Sequence, residues 1–226
     1  MHDLKHSVLD ANLELVRHGL VIHTWGNASG IDRDGSVVWI KPSGFPYHTM
    51  TEEDMVPVDM DGNVCGGHLK PSSDTPTHLV LYKAFPVIGG VVHTHSPYAT
   101  AWAQAGMDIP CLGTTHADCF RGPVPCTADL TEEQLNGEFE KETGMAIVER
   151  FRNLDPMHTP GVLVKHHGPF TWGRTPQEAA YHASVLEEIA KIAFFTLQIN
   201  PSATGNELLE RIHFFRKHGP NARYGQ

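Results

Sequence analysis

The first periodic stretch covers residues 3–18, where Leu4, Val8, Ala11, Leu15 and Val16 share a helical face and Gly19 follows as a natural left-handed cap. This pattern predicts an opening amphipathic helix. From Val21 to Val58 the pieces become shorter and β-rich, with an Asp34-Gly35 turn ahead of Val37-Val38-Trp39-Ile40 and an Asp61-Gly62 turn further on. They read as hairpins of an antiparallel or mixed sheet. Thr75 to Phe85 returns to helical spacing, with Leu79, Tyr82 and Ala84 able to face inward, and Val87-Ile88-Gly89-Gly90-Val91-Val92 then runs as a strand into His93. Being apolar on both faces, that strand belongs in the middle of a sheet.

Two later helices carry explicit start signals. Thr131-x-x-Gln134 is a capping box, and Thr175-Pro176-x-Glu178 combines one with proline at the first helical position, predicting a helix to about Gln198. Between them Val162-Leu163-Val164 is a short apolar strand ending in Lys165-His166-His167-Gly168, and a final helix around 206–217 leads into the tail 219–226. No repeat, low-complexity tract or linker divides the chain. The expectation is a single α/β domain over residues 1–226, with a central, mainly antiparallel sheet sandwiched by α-helices.

Composition narrows the function more than the fold. The 226 residues are 40% hydrophobic and 19% charged, an ordinary globular balance. Lys+Arg 17 against Asp+Glu 26 leaves a net charge of −9, which argues against a broad nucleic-acid face but allows a small phosphorylated metabolite held by one or two local cations. The four cysteines, Cys65, Cys111, Cys119 and Cys126, form no C-x-x-C pair and read as plain thiols. No basic segment followed by an apolar core opens the chain, and no run reaches the ~18 apolar residues of a membrane span. A soluble cytoplasmic protein with no membrane partner is expected.

Sixteen histidines are the compositional oddity. His93-Thr94-His95 ends an apolar strand, where residues i and i+2 project to one side, so two imidazoles can grip one ion. A catalytic zinc ion takes three protein ligands and an open position, and the strand-end pair His166-His167 can donate the third. Spacing alone leaves the choice between His166 and His167 open. A second constellation is three small-residue turns: Thr24-Trp25-Gly26-Asn27-Ala28-Ser29, Lys41-Pro42-Ser43-Gly44 and Lys70-Pro71-Ser72-Ser73-Asp74. Their backbone N–H groups, hydroxyls and lysines suit an anion, and beside a metal they suggest a phosphorylated, oxygen-rich substrate. A third is Gly113-Thr114-Thr115-His116-Ala117-Asp118, a turn whose carboxylate could exchange protons with a substrate, and the tail Arg223-Tyr224-Gly225-Gln226 offers a phenol.

Taken together these blocks, with His167-Gly168-Pro169-Phe170-Thr171-Trp172-Gly173 and Arg216-Lys217-His218-Gly219, resemble the class II aldolase and L-ribulose-5-phosphate 4-epimerase family over residues from about 3 to 226. The resemblance implies a central sheet flanked by helices, a cyclic homotetramer with active sites between neighbouring subunits, and a phosphorylated pentulose as substrate. It implies metal ligation by His93, His95 and His167, choosing His167 over His166. It also groups Asp74 with the metal residues, at the position where the related aldolases carry a glutamate near the metal, which favours the epimerases. The cofactor it leads one to expect is Zn²⁺, with Mn²⁺ or Co²⁺ acceptable to the same donors. Gly26, Asn27, Lys41, Ser43, Gly44, Ser72, Ser73 and Thr114 match the substrate pocket. Asp118 and Tyr224 match an acid/base pair, with Tyr224 and His213 supplied by the adjacent subunit. The implied reaction is epimerisation at C4 of L-ribulose 5-phosphate by cleavage and re-formation of C3–C4, giving D-xylulose 5-phosphate. An aldolase acting on a sugar phosphate such as L-fuculose 1-phosphate, or a non-catalytic module like the adducin head, are the alternatives. His166 and Cys119 depart from the family's usual residues.

Overall fold

The computed structural model describes residues 2–219 and 222, so Tyr224 lies outside the described residues. The chain opens with α1 (His2–Arg17), in which Val8, Ala11 and Leu15 are fully buried while Val16 turns outward. Gly19, at φ +66°, closes the helix as expected: its N–H reaches the Val16 carbonyl and the Leu20 N–H reaches that of Leu15. β1 (Asn27–Asp32), β2 (Val37–Ile40) and β3 (Val56–Asp59) follow, then α2 (Thr75–Ala84) and β4 (Gly90–His93). Next come α3 (Pro97–Ala105), α4 (Thr114–Ala117), α5 (Glu132–Asn136) and α6 (Phe139–Arg150). β5 (Gly161–Val164) and β6 (Gly168–Gly173) form a hairpin, and α7 (Pro176–Ile199) and α8 (Glu207–His218) complete the chain.

The strands form one sheet in the order β3-β2-β1-β4-β6-β5, with every neighbouring pair antiparallel. β4 is interior, as its two-sided apolar pattern predicts. Its side chains alternate between two cores. Val91 joins Leu81 and Tyr82 of α2, Ile147 of α6 and Phe151 just past its end on one face, and Val92 joins Ala11, Leu15, Ala179 and Ala183 of α1 and α7 on the other. Each fully buried aliphatic or aromatic side chain in these layers contributes about 1.5–3 kcal/mol relative to exposure.

Several details differ from the sequence pattern. The strand ahead of His93 begins at Gly90 rather than Val87, because Val87 and Ile88 belong to a turn closed by the Ile88 N–H on the Phe85 carbonyl, and Val87 is exposed. Residues 114–117, read as part of a turn, form the single helical turn α4. α3, α6 and β6 add elements that no start signal announced. The Thr131–Gln134 capping box is present, whereas Thr175 accepts from the Glu178 N–H but the Glu178 carboxylate reaches out to the Arg174 N–H.

Three glycines lie side by side across the sheet: Gly30 of β1 pairs with Gly90 of β4, which pairs with Gly173 of β6. All three face the first turn of α7. A Cβ on Gly30 would come within 2.8 Å of the Pro176 ring, one on Gly90 within 2.5 Å of the Pro176 backbone, and one on Gly173 within 2.6 Å of Glu178. Gly90→Ala must therefore displace backbone rather than a flexible side chain, and is expected to destabilise by about 1–3 kcal/mol in urea unfolding. Gly113→Ala, where a Cβ meets nothing within 4 Å, is expected to stay within about 0.5 kcal/mol of the parent.

Candidate functional site

Three residues along the strands from the glycine row, on the face that carries α2, Asn27 of β1 pairs with His93 of β4, which pairs with Phe170 of β6. Around this row lies a cavity of about 430 Å³ lined by residues that the sequence singled out: Gly26, Asn27, Lys41, Ser43, Gly44, Ser72, Ser73, Asp74, His93, His95 and His167.

The nitrogen donors of His93, His95 and His167 all lie within 4.8 Å of one another. His93 ends β4 and is fully buried, stacked on Phe170 at 4.2 Å between centroids. Its Nδ1 lies 3.0 Å from the Pro169 carbonyl, to which it donates, leaving Nε2 as the free donor, 2.9 Å from His95 Nε2. His95 sits just past the strand end, in the link to α3. His167 comes from the three-residue turn between β5 and β6, where His166 adopts φ +62°. That left-handed residue sends the His166 side chain out to Asp129, at 3.1 Å, and lets His167 turn into the cavity. The ambiguity in the pair is thus resolved by turn geometry rather than by strand alternation. His167 Nδ1 is buried with no hydrogen-bond partner among the described residues.

Burial pushes the His93 imidazole down to about 3 and lowers His95 and His167, with Asp74 opposing in each case. All three rings are therefore neutral near pH 7, the state in which imidazole binds a metal. Three converging neutral nitrogens, one of them held in register by a backbone carbonyl and one buried with an unpaired atom, fit a divalent transition metal with an open coordination position.

Asp74 lines the same cavity outside that nitrogen cluster. Its Oδ2 accepts from Asn27 Nδ2 at 2.6 Å, and the same amide donates to Ser72 Oγ at 3.0 Å. Burial raises the carboxyl, but the surrounding imidazoles and the Asn27 hydrogen bond outweigh it and hold Asp74 below its ordinary range. Gly26, at φ +72°, admits the chain here; a Cβ would meet Val21 at 2.7 Å and the His93 carbonyl at 2.9 Å.

Lys41 is the electrostatic complement. It is 2% exposed, and its ammonium donates to the Thr24 carbonyl at 3.1 Å and lies 4.7 Å from the centre of the Tyr47 ring. Among the described residues no carboxylate comes within ion-pair distance, and burial pushes it down to about 8. The 41–44 and 70–74 turns are fastened together by Ser43 N–H to the Lys70 carbonyl and Ser72 N–H to the Lys41 carbonyl. A buried cation facing serine-rich turns and lacking a counter-charge is a receptor for an anion.

The remaining expected residues lie elsewhere. Thr114 opens α4 and Asp118 closes it, and neither lines the cavity. Asp118 instead faces α8: its carboxylate lies 2.7 Å from Lys217 Nζ and 3.5 Å from His213 Nδ1. Within one chain His213 is thus beside Asp118. Phe139 and Glu140, at the start of α6, line the cavity without having been anticipated. Thr77 Oγ1, bonded to the Glu140 carbonyl, ties them there, a contact between distant segments that no motif encodes.

Residues 6–194 match the model of the class II aldolase and adducin N-terminal domain. Proteins named L-ribulose-5-phosphate 4-epimerase UlaF from Salmonella paratyphi C (strain RKS4594) and Salmonella typhi are each 56% identical over 227 residues, covering 100% of both chains. Among solved structures, an L-fuculose 1-phosphate aldolase superposes with a TM-score of 0.81 at 24% identity over 96% of each chain. The L-fuculose 1-phosphate aldolase from Glaciozyma antarctica PI12 gives 0.79 at 19% identity, over 94% of this chain and 80% of its own.

The triad predicts one divalent ion per chain, measurable by elemental analysis after dialysis. At a free metal concentration of 100 times Kd, loading should stabilise the fold by about 2.7 kcal/mol. His93→Ala and His167→Ala should each weaken binding by more than about 100-fold, beyond the usual cost of losing an outer hydrogen bond to a ligand.

Proposed function

The chain belongs to the class II aldolase and adducin N-terminal domain family, and we propose that it is an L-ribulose-5-phosphate 4-epimerase, interconverting L-ribulose 5-phosphate and D-xylulose 5-phosphate. The observation that carries this reading is the single cavity in which three neutral imidazoles converge beside the uncompensated Lys41 ammonium. The choice of substrate rests on the full-length 56% identity to proteins of that name.

In this reading Lys41 and the Ser43, Gly44, Ser72 and Ser73 turns hold the sugar phosphate, and Gly26 lets the backbone close on it. Asn27 fixes Asp74 against the metal end of the cavity. A divalent cation, with zinc preferred and manganese or cobalt as substitutes, is held by His93, His95 and His167 with Asp74 beside them, and supplies Lewis-acid stabilisation of negative charge on substrate oxygens. C4 carries no acidic proton, so inversion there proceeds by breaking and remaking C3–C4. One protein group takes the proton of the C4 hydroxyl as the bond breaks, and a second returns a proton on the opposite face once the aldehyde has turned. Asp118 and Tyr224 are assigned these roles. The phosphate grip keeps the aldehyde fragment in place, so recombination outruns escape.

Asp118 sits with His213 and Lys217 away from its own chain's cavity, which supports delivery of Asp118, Thr114, His213 and Tyr224 to the cavity of a neighbouring subunit. Exposed Phe194, Phe195, Ile199, Leu208, Ile212 and Phe215 on α7 and α8 supply an apolar surface for that contact. We assign a homotetramer, one domain over residues 1–226, and a cytoplasmic location; no described helix is long and apolar enough to cross a membrane.

The deciding assay incubates metal-loaded protein with L-ribulose 5-phosphate and follows both D-xylulose 5-phosphate and free glycolaldehyde phosphate, with a chelated control. Chelator-sensitive epimer without free aldehyde is expected, and free aldehyde with little epimer would mark an aldolase. Asp118→Asn should lower kcat by about 10²- to 10⁴-fold with bound metal unchanged. Lys41 is charged below about 8 and neutral above it, so KM should rise as pH climbs through that value. Lys41→Met should raise KM about 10- to 100-fold, the worth of a charged hydrogen bond, and flatten that dependence.

A further inference from the structure

The turn that brings Gly26 and Asn27 to the cavity has a backbone that must be held in place. His23 adopts φ +52° and Gly26 φ +72°, two left-handed residues in a short segment that is exposed at His23 and Trp25. Left-handed backbone at a residue with a Cβ is strained, and it persists only where its surroundings over-determine it. Within the turn the Trp25 N–H donates to the Ile22 carbonyl at 3.1 Å. The next three carbonyls are taken by two side chains. Lys41 Nζ donates to that of Thr24 at 3.1 Å, and the Tyr47 hydroxyl lies 2.8 Å from that of Trp25 and 2.9 Å from that of Gly26, its one proton shared between them.

Tyr47 suits this latch because packing fixes its ring. It opens a single 3₁₀ turn just past Gly44 and is 6% exposed, in an apolar cluster with Val8, Trp39, Met50 and Met55. The face of the same ring carries the Lys41 ammonium, 4.7 Å from its centre. Any buried tyrosine needs an acceptor for its hydroxyl. Here the acceptors are the two carbonyls that follow the one seating Lys41, so ring and hydroxyl converge on one ammonium. The kind of partner matters as much as the place. Carbonyl oxygens and a ring face stabilise a cation without cancelling its charge, whereas a carboxylate in their place would compete with an incoming phosphate. Of the three ammonium protons, two are directed at the Thr24 and Pro42 carbonyls, the latter at 3.4 Å, and the third has no partner among the described residues.

We propose that Tyr47 is a positioning residue of the anion grip: its hydroxyl latches the 23–26 turn and its ring backs the Lys41 ammonium, so that the remaining N–H of Lys41 is kept for a phosphate in the cavity. The proposal rests on Lys41 being the anion receptor of the site and not on the identity of the sugar.

Calorimetric titration of the metal-loaded protein with inorganic phosphate, beside kinetics on L-ribulose 5-phosphate, tests it. Tyr47→Phe keeps the ring and its packing and removes the latch. It should weaken phosphate binding and raise KM about 2- to 10-fold, the worth of one hydrogen bond, with kcat and bound metal unchanged. Tyr47→Leu removes the ring face as well and should cost about 10- to 100-fold, approaching the loss in Lys41→Met. In a Lys41→Met background neither substitution should raise KM or weaken residual phosphate binding further, because the group they act through is gone. Losses that add to that of Lys41→Met would make Tyr47 a packing residue and overturn the proposal. Hydrogen exchange follows the latch with no ligand present: Tyr47→Phe should speed exchange of the amides of residues 23–26 and leave the rest of the sheet as in the parent. Unchanged exchange there overturns the latch, and Tyr47→Phe decides both tests if Tyr47→Leu does not fold. A parent protein that binds no inorganic phosphate, or binds it no better than Lys41→Met, overturns the grip and Tyr47's part in it. Phosphate binding that depends on Lys41 and Tyr47 in a chain inactive on L-ribulose 5-phosphate would sink the activity reading while upholding this one.

Discussion

The close approach of α7 to the sheet is the constraint from which the site follows. Because the first turn of α7 leaves no space for a Cβ at Gly30, Gly90 or Gly173, these positions must lie side by side on β1, β4 and β6, and that fixes the register of the three central strands. Three residues further along, the same register sets Asn27 beside His93 and His93 beside Phe170. A slip of one residue would turn every side chain of a strand to the opposite face and send His93 or Asn27 toward α1 and α7 instead of α2. A packing requirement at one end of the strands therefore positions polar chemistry at the other.

The distribution of buried polar groups supports that division. Away from the cavity, charged side chains find partners within the chain: the exposed Arg33 donates to the carbonyls of Tyr82, Phe85 and Ile88, and the half-buried Arg150 pairs with Asp108 and the Cys126 carbonyl. At the cavity, Lys41 has carbonyls and a ring face but no counter-charge, and three imidazoles crowd nitrogen against nitrogen. Such an arrangement is costly in the free protein and becomes favourable when an anion and a cation are added. Concentrated in one place, uncompensated electrostatics describe the ligand: negative at the Lys41 end, electron-rich and metal-binding at the histidine end.

Much of this was legible in the sequence because its signals are local. Gly19 as a cap, the Thr131 capping box, the two-sided apolar strand into His93 and the paired strand-end histidines each depend on residues a few positions apart. What escaped was set by partners far along the chain. α6 buries Thr143, Gly144 and Ile147, a stripe too polar and too small to read as a core face, and Gly144 is needed because a Cβ there would strike Val80 of α2 at 2.7 Å. Glu140 reaches the cavity through the same helix pair. His166 and His167 could not be told apart by strand alternation because they occupy a turn, where one positive φ decides which ring turns inward.

The position of Asp118 carries the last step. Its partners Lys217 and His213 come from α8, an amphipathic helix that buries Phe214 against His158 and leaves Leu208, Ile212 and Phe215 exposed. A carboxylate held by a helix whose apolar side is uncovered is only as well placed as whatever covers that side. If Asp118 works in a neighbour's cavity, the contact that buries α8 also delivers the proton-transfer group, so assembly and activity share one surface. That coupling suits a reaction in which a cleaved fragment must be retained: closing the cavity with a second chain excludes water while the fragment turns. On that proposal the histidine cluster and the Lys41 turns, which line one chain's cavity, could bind before assembly, whereas bond cleavage would wait for closure, without which the fragment would escape.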